Sequence, residues 1–276
     1  MLSTIPYFGG KQKLAEKLIA RLTEIMEDHK LQTFIDVCGG SGRIAINMPQ
    51  QYKRHYNDID PGLCALMQTF QNESKLAQML DLLETIPYTE ESFTAAKDKR
   101  ANEKTPKIKK AAYTYLCARQ SILSQMKHFN TDESKAIPYY TGLKNAWQAH
   151  LGMGEISVTN KDWLDILSNH FTDKKALLFL DPPYTKGSNA YIYHPPTADY
   201  DKLINEYLLN PALKAKVVIC TNDPDFFKSL TDRSWQTELV SEINRTSAQR
   251  RNGISRSPTA YEYIITNEKT NPFPGQ

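Results

Sequence analysis

The chain of 276 residues has a net charge of +3, and its composition, 40% hydrophobic and 24% charged, is ordinary for a globular protein. Its 15 tyrosines and 10 phenylalanines exclude a disordered chain, and no apolar run approaches the roughly 20 residues of a membrane-spanning helix. The 4 cysteines are scattered without metal-ligand spacing, and the first residues lack the charged-then-apolar pattern of a secretion signal. We therefore expect a reduced, cytoplasmic protein without a structural metal.

The first 66 residues predict a helix, a strand, a glycine-rich turn, a short helix and a second strand. Apolar spacing predicts the first helix over Lys11–His29 and a buried strand over Thr33–Cys38. After the glycines, a helix is predicted over Arg43–Met48 and a strand over Tyr52–Asn57. This order is typical of a parallel α/β sheet.

Helical patterns dominate the middle of the chain, with predicted helices over Leu63–Ile86 and Lys107–Met126. Strand patterns then return, around one further helix. The later predicted elements are strands over Ile156–Thr159, Ala176–Leu180, Val217–Cys220, Thr237–Ile243 and Ala260–Thr266, and a helix over Lys202–Leu209. We therefore predict one α/β domain formed by residues 1–66 and 156–276, interrupted by a helical insertion at 67–155.

The first candidate site is the segment Asp36–Gly42 (DVCGGSG), which ends the first predicted strand. Glycines at such a place let the backbone turn sharply and approach a ligand closely. Asp58, at the tip of the next strand, can accept both hydroxyls of a ribose. The P-loop pattern is absent and the dinucleotide pattern is incomplete, while Asp36 disfavours a pyrophosphate and suits an ammonium group. These features favour S-adenosylmethionine; a tight turn with an unrelated surface aspartate is the structural alternative.

The second candidate site is the tetrapeptide Asp181-Pro182-Pro183-Tyr184, directly after an apolar strand. Two prolines fix the backbone and remove two N–H donors. The Asp181 carboxylate and the Pro182 carbonyl can then accept both hydrogens of an exocyclic amino group, while Tyr184 stacks on its ring. Two acceptors localise the lone pair of that nitrogen and make it nucleophilic. A proline-rich surface turn is the alternative.

Together these motifs resemble the Dam-type (D12 class) DNA adenine-N6 methyltransferases. The segment 6–11 (PYFGGK) is similar to the family's N-terminal aromatic-x-Gly-Gly-Lys signature, and Asp162-Trp163 resembles its acidic-aromatic pair beside the cofactor's adenine. The tail from Arg245 to Tyr263 resembles its closing hairpin. The resemblance implies a Rossmann-like methyltransferase fold, an α/β fold whose mostly parallel sheet has a C-terminal antiparallel hairpin. It also implies that the helical insertion recognises the target.

The resemblance implies a site-specific enzyme that transfers a methyl group from S-adenosylmethionine to N6 of adenine in duplex DNA. Base flipping and direct in-line attack would leave S-adenosylhomocysteine and need no metal. The implied catalytic residues are Asp181, Pro182 and Tyr184. The implied cofactor-binding residues are Tyr7, Phe8, Gly9, Lys11, Asp36, Gly40, Gly42, Asp58, Asp162, Trp163 and Asp181.

Three of these positions have simpler interpretations or depart from the family. Lys11 is equally compatible with a solvated lysine or a DNA phosphate contact, and Asp162 with a helix N-cap. Cys38 stands where the family usually has phenylalanine, and Phe8 is a candidate to replace that contact. Because no Pro-Cys dipeptide of the cytosine-C5 enzymes occurs, we interpret Cys38 as a small buried residue and not a nucleophile.

The loop 245–256 carries four arginines and no acidic residue, which suits phosphate contacts along a duplex. The predicted DNA-binding residues are Arg245, Arg250, Arg251 and Arg256. Residues 97–110, with seven basic and two acidic side chains, are interpreted as a solvated helix face. One or two aromatic residues within 128–140 are candidates to wedge into DNA.

The expected partner is double-stranded DNA, in a bacterial or phage-infected cell, and the expected state is a monomer or weak dimer. A cognate restriction endonuclease is a further candidate partner, and no membrane association is expected. Three alternatives remain open at this point. They are an RNA adenine-N6 or guanine-N2 methyltransferase, a non-catalytic DNA-binding relative, and a Rossmann oxidoreductase that binds NAD.

Overall fold

The computed structural model of the chain describes residues 1–7, 9, 11, 14–184, 192–193, 195–244 and 259–267. The helices are α1 (Ala15–Asp28), α2 (Arg43–Asn47), α3 (Pro61–Phe70), α4 (Glu73–Glu84), α5 (Glu90–Ala101), α6 (Lys107–Gln120), α7 (Ala136–Met153), α8 (Trp163–His170), α9 (Thr197–Lys202) and α10 (Lys228–Thr231). The strands are β1 (Thr33–Asp36), β2 (Lys53–Asn57), β3 (Ser157–Thr159), β4 (Ala176–Leu180), β5 (Lys216–Thr221), β6 (Gln236–Asn244) and β7 (Thr259–Thr266). Within these ranges, no helix combines the length and apolar character needed to cross a membrane.

The strands form one sheet in the order β3-β2-β1-β4-β5-β7-β6. The first five strands in this order pair in parallel, whereas β7 pairs antiparallel with both β5 and β6. This arrangement confirms the predicted fold class, including the antiparallel C-terminal hairpin.

The chain changes direction across the sheet between β1 and β4. From β1 it proceeds outwards to β2 and β3, and it then returns to add β4 on the other side of β1. In open α/β sheets, ligands bind outside the carboxyl ends of the strands at such a switch point. The topology therefore places a candidate binding crevice beside the ends of β1 and β4.

Helices cover both faces of the sheet, and successive strand residues point to opposite faces. Phe34 and Leu177 belong to the larger buried cluster, with α1 and the helices of the insertion. Their chain neighbours Ile35 and Leu178 belong to the second cluster, with α8. Because β4 lies between these two layers, all five of its residues are buried. Helices α3 to α7 thus share an apolar core with one face of the sheet.

Several helix boundaries differ from those predicted. The helix predicted over Leu63–Ile86 is interrupted between α3 and α4, where the side chain of Asn72 accepts a hydrogen bond from the Lys75 N–H at 3.0 Å. Asparagine is a favoured N-cap because its side chain satisfies an otherwise unpaired backbone donor. The helix predicted over Lys202–Leu209 begins earlier, as α9, and continues as a π-helical segment, Leu203–Leu208.

The helix predicted over Lys107–Met126 ends at Gln120, and a tight turn follows. Leu123, Ser124 and Met126 have positive φ angles of 52°, 55° and 57°, which no α-helix can accommodate. The Ser121 hydroxyl accepts a hydrogen bond from the Met126 N–H at 2.9 Å. Local side chain–backbone bonding therefore outweighs the helical pattern here.

Arg54 ties the insertion to the sheet. Its side chain is buried on β2 and donates to four backbone carbonyls. Those of Ile46 and Met48 lie 3.0 and 3.4 Å away, and those of Met153 and Glu155, at the end of the insertion, lie 2.8 and 3.0 Å away. One guanidinium thus joins β2, the end of α2 and the end of α7.

Candidate active site

Three aspartates meet at the carboxyl edge of the sheet. Asp36 is the last residue of β1, Asp58 directly follows β2, and Asp181 directly follows β4. Two adjoining cavities lie there, with volumes of about 220 and 50 Å³. Asp58 lines the larger cavity, Asp36 lines the smaller one, and Asp181 lines both. The crevice expected from the topology therefore contains the residues of both sequence motifs.

The glycine turn allows a close approach of backbone to side chain. A Cβ atom on Gly39 would lie 2.1 Å from a ring carbon of Tyr56, so no other residue fits without rearrangement. Gly40 has a φ of +52°, its carbonyl accepts from the Tyr56 hydroxyl at 2.8 Å, and its N–H donates to Asp58 Oδ2 at 2.8 Å. Gly42, with a φ of +71°, begins α2 and is not among the residues that line the two cavities.

Asp58 is held by the backbone at both carboxylate oxygens. Gly40 N–H donates to one oxygen and Asp60 N–H donates to the other, each at 2.8 Å. Burial and repulsion from Asp60 raise the pKa of Asp58 to about 7, although these two N–H groups and Arg100 oppose the shift. A group with this pKa changes its charge close to neutral pH.

Asp36 is 1% exposed, and among the described residues its Oδ1 atom has no hydrogen-bond partner. Burial raises its pKa well above the ordinary value, and repulsion from Asp181 and Asp58 adds to the shift. Buried polar atoms are normally satisfied. An unsatisfied carboxyl oxygen in a residue that lines the smaller cavity is therefore suited to a cationic ligand group.

The far end of the larger cavity is formed by α8 and α9. Asp162 accepts a hydrogen bond from the Leu164 N–H at 2.8 Å and is the N-cap of α8, while also lining the cavity. Trp163 lines the cavity too, and its ring packs edge-on against Tyr200 with centroids 4.9 Å apart. The Tyr200 hydroxyl donates to the carbonyl of Pro183 at 2.5 Å. Through Tyr200, the aromatic wall of the cavity is thus attached to the tetrapeptide after β4.

Lys11, Asp181, Tyr184 and Glu262, hereafter the Lys11 cluster, form a connected network. The Lys11 ammonium donates to both oxygens of Asp181, at 2.6 and 2.8 Å, and lies 3.3 Å from Glu262 Oε1. It also lies 5.0 Å from the centre of the Tyr184 ring. The Tyr184 hydroxyl donates a hydrogen bond to Glu262. The cluster therefore joins the N-terminal segment, the end of β4 and strand β7.

Burial acts on the pKa values of Asp181 and Lys11 in this cluster. Burial raises the pKa of Asp181 to about 6, with Glu262 adding to the shift and Lys11 opposing it. Burial alone would lower the pKa of Lys11, but attraction to Asp181, Tyr184 and Glu262 raises it well above its ordinary value. At neutral pH the Lys11 ammonium is charged, and Asp181 is mostly ionised because its pKa lies below 7.

The comparison with known families identifies the family of the chain. The model of the D12 class N6 adenine-specific DNA methyltransferase family matches residues 7–248. The chain belongs to this family. The predicted family and the prediction of an enzyme are therefore confirmed for this methyltransferase. A search of curated proteins found no significant match.

The methyltransferase brings most of its predicted site residues together. The predicted residues that line one or both cavities are Tyr7, Gly9, Lys11, Asp36, Gly40, Asp58, Asp162, Trp163 and Asp181. Pro182 follows Asp181 and is buried, and Tyr184 belongs to the Lys11 cluster. Gly42 is described but lines neither cavity. The other predictions lie outside the described residues: Phe8, Arg245, Arg250, Arg251 and Arg256.

Glu262 is a site residue that the sequence analysis missed. It is 5% exposed on β7, where its face of the strand also carries the buried Ile264. The sequence places an acidic residue on the face of the strand that is otherwise apolar. Because a charge is rarely buried without a partner, that position could have predicted a buried polar contact. The identity of the partners, Lys11 and Tyr184, depends on the assembled fold.

Cys38 lines both cavities and is half-buried. Burial raises the pKa of its thiol well above the ordinary value, and the neighbouring Asp58, Asp36 and Asp181 raise it further. A thiol in this state is a poor nucleophile, since the thiolate is the reactive form. The raised pKa agrees with the interpretation that Cys38 is not a nucleophile, but the side chain is half-buried and not fully buried as expected.

Proposed function

We propose that the methyltransferase transfers a methyl group from S-adenosylmethionine to N6 of an adenine flipped out of duplex DNA, by direct in-line attack. The observation that carries this proposal is the position of Asp181, which lines both cavities at the carboxyl end of β4. The Asp181 carboxylate can therefore accept a hydrogen bond from the target base while the cofactor occupies the adjoining cavity. The proposed setting is a bacterial or phage-infected cell, with a monomer or weak dimer acting alone or beside a restriction endonuclease.

The donor groups around the cavities fit S-adenosylmethionine. Asp58 is suited to the ribose hydroxyls, because each of its oxygens keeps a further lone pair beyond the backbone N–H that it accepts. Asp36 is suited to the ammonium group, since its Oδ1 atom is buried and unpartnered among the described residues. Asp162 and Trp163 would hold the adenine ring. When bound, the cofactor supplies an electrophilic methyl group.

The tetrapeptide after β4 would prepare the target nitrogen. Asp181 and the Pro182 carbonyl accept the two N6 hydrogens, and Tyr184 stacks on the base. Glu262 fixes the Tyr184 ring through the hydroxyl. Flipping the base costs a few kcal/mol, which contacts with DNA must supply. Asp181 then receives the proton that the methylated nitrogen releases, directly or through water, so the residues act by positioning and electrostatics.

We propose that residues 67–155 form the target-recognition domain, and one turn within them is suited to enter DNA. Leu123 is 72% exposed and Ile122 is 47% exposed, at the turn that contains the positive φ angles. Arg119 and Lys135 line the same cleft as Leu123. An exposed apolar tip beside basic residues is typical of side chains that wedge between base steps.

Replacing Leu123 by serine is expected to weaken binding to a DNA duplex that contains the target site by about tenfold, as the loss of about 1.4 kcal/mol of contact energy would. The fold should stay intact because the side chain is exposed. Fluorescence anisotropy with a labelled duplex would measure the dissociation constant. Leu151→Ser, at another exposed leucine of the insertion (80% exposed), is the matched control. Equal affinity of both variants and the wild type would show that the turn does not contact DNA.

The reaction itself is tested by incubating the protein with methyl-labelled S-adenosylmethionine and either mixed-sequence duplex DNA or total RNA. Digestion to nucleosides then identifies the labelled product. We expect the label in N6-methyladenine from DNA, and labelling slower by about 10²-fold or more with Asp181→Ala. Label in RNA alone would move the substrate to RNA. Labelling at the wild-type rate with Asp181→Ala would contradict the proposed catalytic role.

A further inference from the structure

A buried ion pair joins the helical insertion to the loop beside the larger cavity. Arg100, on α5, contacts the carboxylate of Asp60, which lies two residues after Asp58. The two side chains are 8% and 3% exposed. Removing two charges from water is costly, and apolar residues often replace such pairs without loss of stability. Stability alone therefore does not account for this pair.

Asp60 connects the loop after β2 to both α3 and α5. Its N–H donates to Asp58 Oδ1 at 2.8 Å, and its Oδ1 accepts from the Gly62 N–H at 2.7 Å, which caps α3. Its Oδ2 binds Arg100. Thus the guanidinium fixes the Asp60 carboxylate, and the Asp60 backbone fixes the Asp58 carboxylate.

Close packing restricts the movement of Asp60 and Arg100. A Cβ atom on Gly62 would lie 2.3 Å from Thr114 Oγ1, on α6, and 3.1 Å from Arg100 Nη2. The Arg100 Nε atom lies 3.4 Å from the same Thr114 hydroxyl. A shift of α5 therefore acts directly on Asp60, and a shift of α6 acts on it through Arg100.

We propose that Arg100 is a positioning residue for cofactor binding, which orients Asp58 through Asp60 and so links the helical insertion to the cofactor cavity. This inference rests on the proposed function, since it takes Asp58 as the ligand of the ribose. Arg100 does not line the cavity itself.

The charges around Asp58 determine how cofactor affinity should depend on pH. Within the described part of the chain, the titratable groups that interact with Asp58 are Asp36, Cys38, Tyr56, Asp60, Cys64, Arg100 and Tyr193. Asp60 raises the pKa of Asp58 and Arg100 lowers it, with a result of about 7. Because the ionised carboxylate accepts the ribose hydroxyls, cofactor affinity should rise as the pH increases through that value. Removing the two charges singly should then move the midpoint of the affinity profile in opposite directions.

The test is calorimetric titration of the full chain with S-adenosylmethionine between about pH 5 and about pH 9, a range that spans the titration of Asp58. Arg100→Met should move the midpoint to higher pH by about one unit, which lowers affinity near pH 7 by up to about tenfold. Asp60→Asn keeps the backbone N–H and the α3 cap, and it should move the midpoint to lower pH. The double variant should lie between the two, and Lys99→Met, at an exposed neighbour on α5, should match the wild type.

The outcomes separate this inference from the proposed function. If the wild type does not bind S-adenosylmethionine, both fall together. If the wild type binds and the two single variants keep its midpoint, or move it in the same direction, the inference alone is overturned. Should Arg100→Met fail to fold, the double variant still decides the question. It differs from Asp60→Asn only at Arg100, leaves no unpaired carboxylate, and should move the midpoint back to higher pH; an equal midpoint in these two variants would overturn the inference.

Discussion

Replacing Asp181 by alanine is expected to slow methyl transfer by about 10²- to 10⁴-fold, the range for removal of a positioned proton acceptor. The side chain lines both cavities, and in the structure both of its oxygens accept hydrogen bonds from Lys11. An incoming amino group must therefore take over one oxygen from the ammonium. Glu262, 3.3 Å from the same ammonium, can retain Lys11 during that exchange. The alanine variant keeps the Lys11–Glu262 pair, so the fold should survive.

The variant is best measured in a single turnover with saturating cofactor and DNA, which separates chemistry from binding. The wild-type rate should rise with pH through about 6 as Asp181 ionises, and the residual rate of the variant should lack that step. Asp225→Ala, which removes an exposed carboxylate after β5, is the matched control. A variant within a few-fold of the wild type would mean that Asp181 does not hold the reacting nitrogen.

Replacing Arg54 by leucine is expected to lower the free energy of unfolding by about 3 to 5 kcal/mol, the range for breaking a buried charged network. The change leaves the carbonyls of Ile46, Met48, Met153 and Glu155 without this donor, and unsatisfied buried acceptors are costly. The end of the insertion should loosen first, because two of the four carbonyls lie there.

Urea denaturation followed by circular dichroism would measure this loss as a lower midpoint. Lys53→Leu, at the adjacent exposed position of β2, controls for placing leucine in this strand and should change the midpoint little. Hydrogen exchange should show less protection around Met153 in the Arg54 variant than in the wild type. A destabilisation below about 1 kcal/mol would mean that water or backbone shifts replace the guanidinium.

The sheet was largely predictable from the sequence because its signals are local. The run Ala176–Leu180 is apolar throughout, as a strand covered on both faces requires, and it forms β4 with the predicted limits. The glycines before Arg43 and the prolines after Asp181 likewise restrict the backbone wherever the rest of the chain lies. The predictions made from these glycine and proline motifs therefore identified residues of the crevice at the carboxyl ends of β1 and β4.

The parts that escaped prediction depend on contacts between distant segments. Glu262 meets Lys11, and Arg100 meets Asp60, only after the sheet and the insertion have assembled. Residues 97–110 were interpreted as a solvated helix face, but Arg100 is buried. It pairs there with the carboxylate of Asp60, in the loop after β2. The turn at Leu123 was hidden by a helical pattern that its own side chain–backbone bonds override.

The place of β7 in the sheet has a consequence for how the enzyme is made. This strand lies between β5 and β6 although it follows both in the chain, and it carries Glu262 to the ammonium near the start of the sequence. During synthesis the N-terminal segments emerge and fold first. A nascent chain therefore holds Lys11 and the tetrapeptide after β4 well before the glutamate that completes their cluster. The proposed active arrangement therefore forms only once β7 has been translated, and we expect chains that stop before β7 to be poor catalysts.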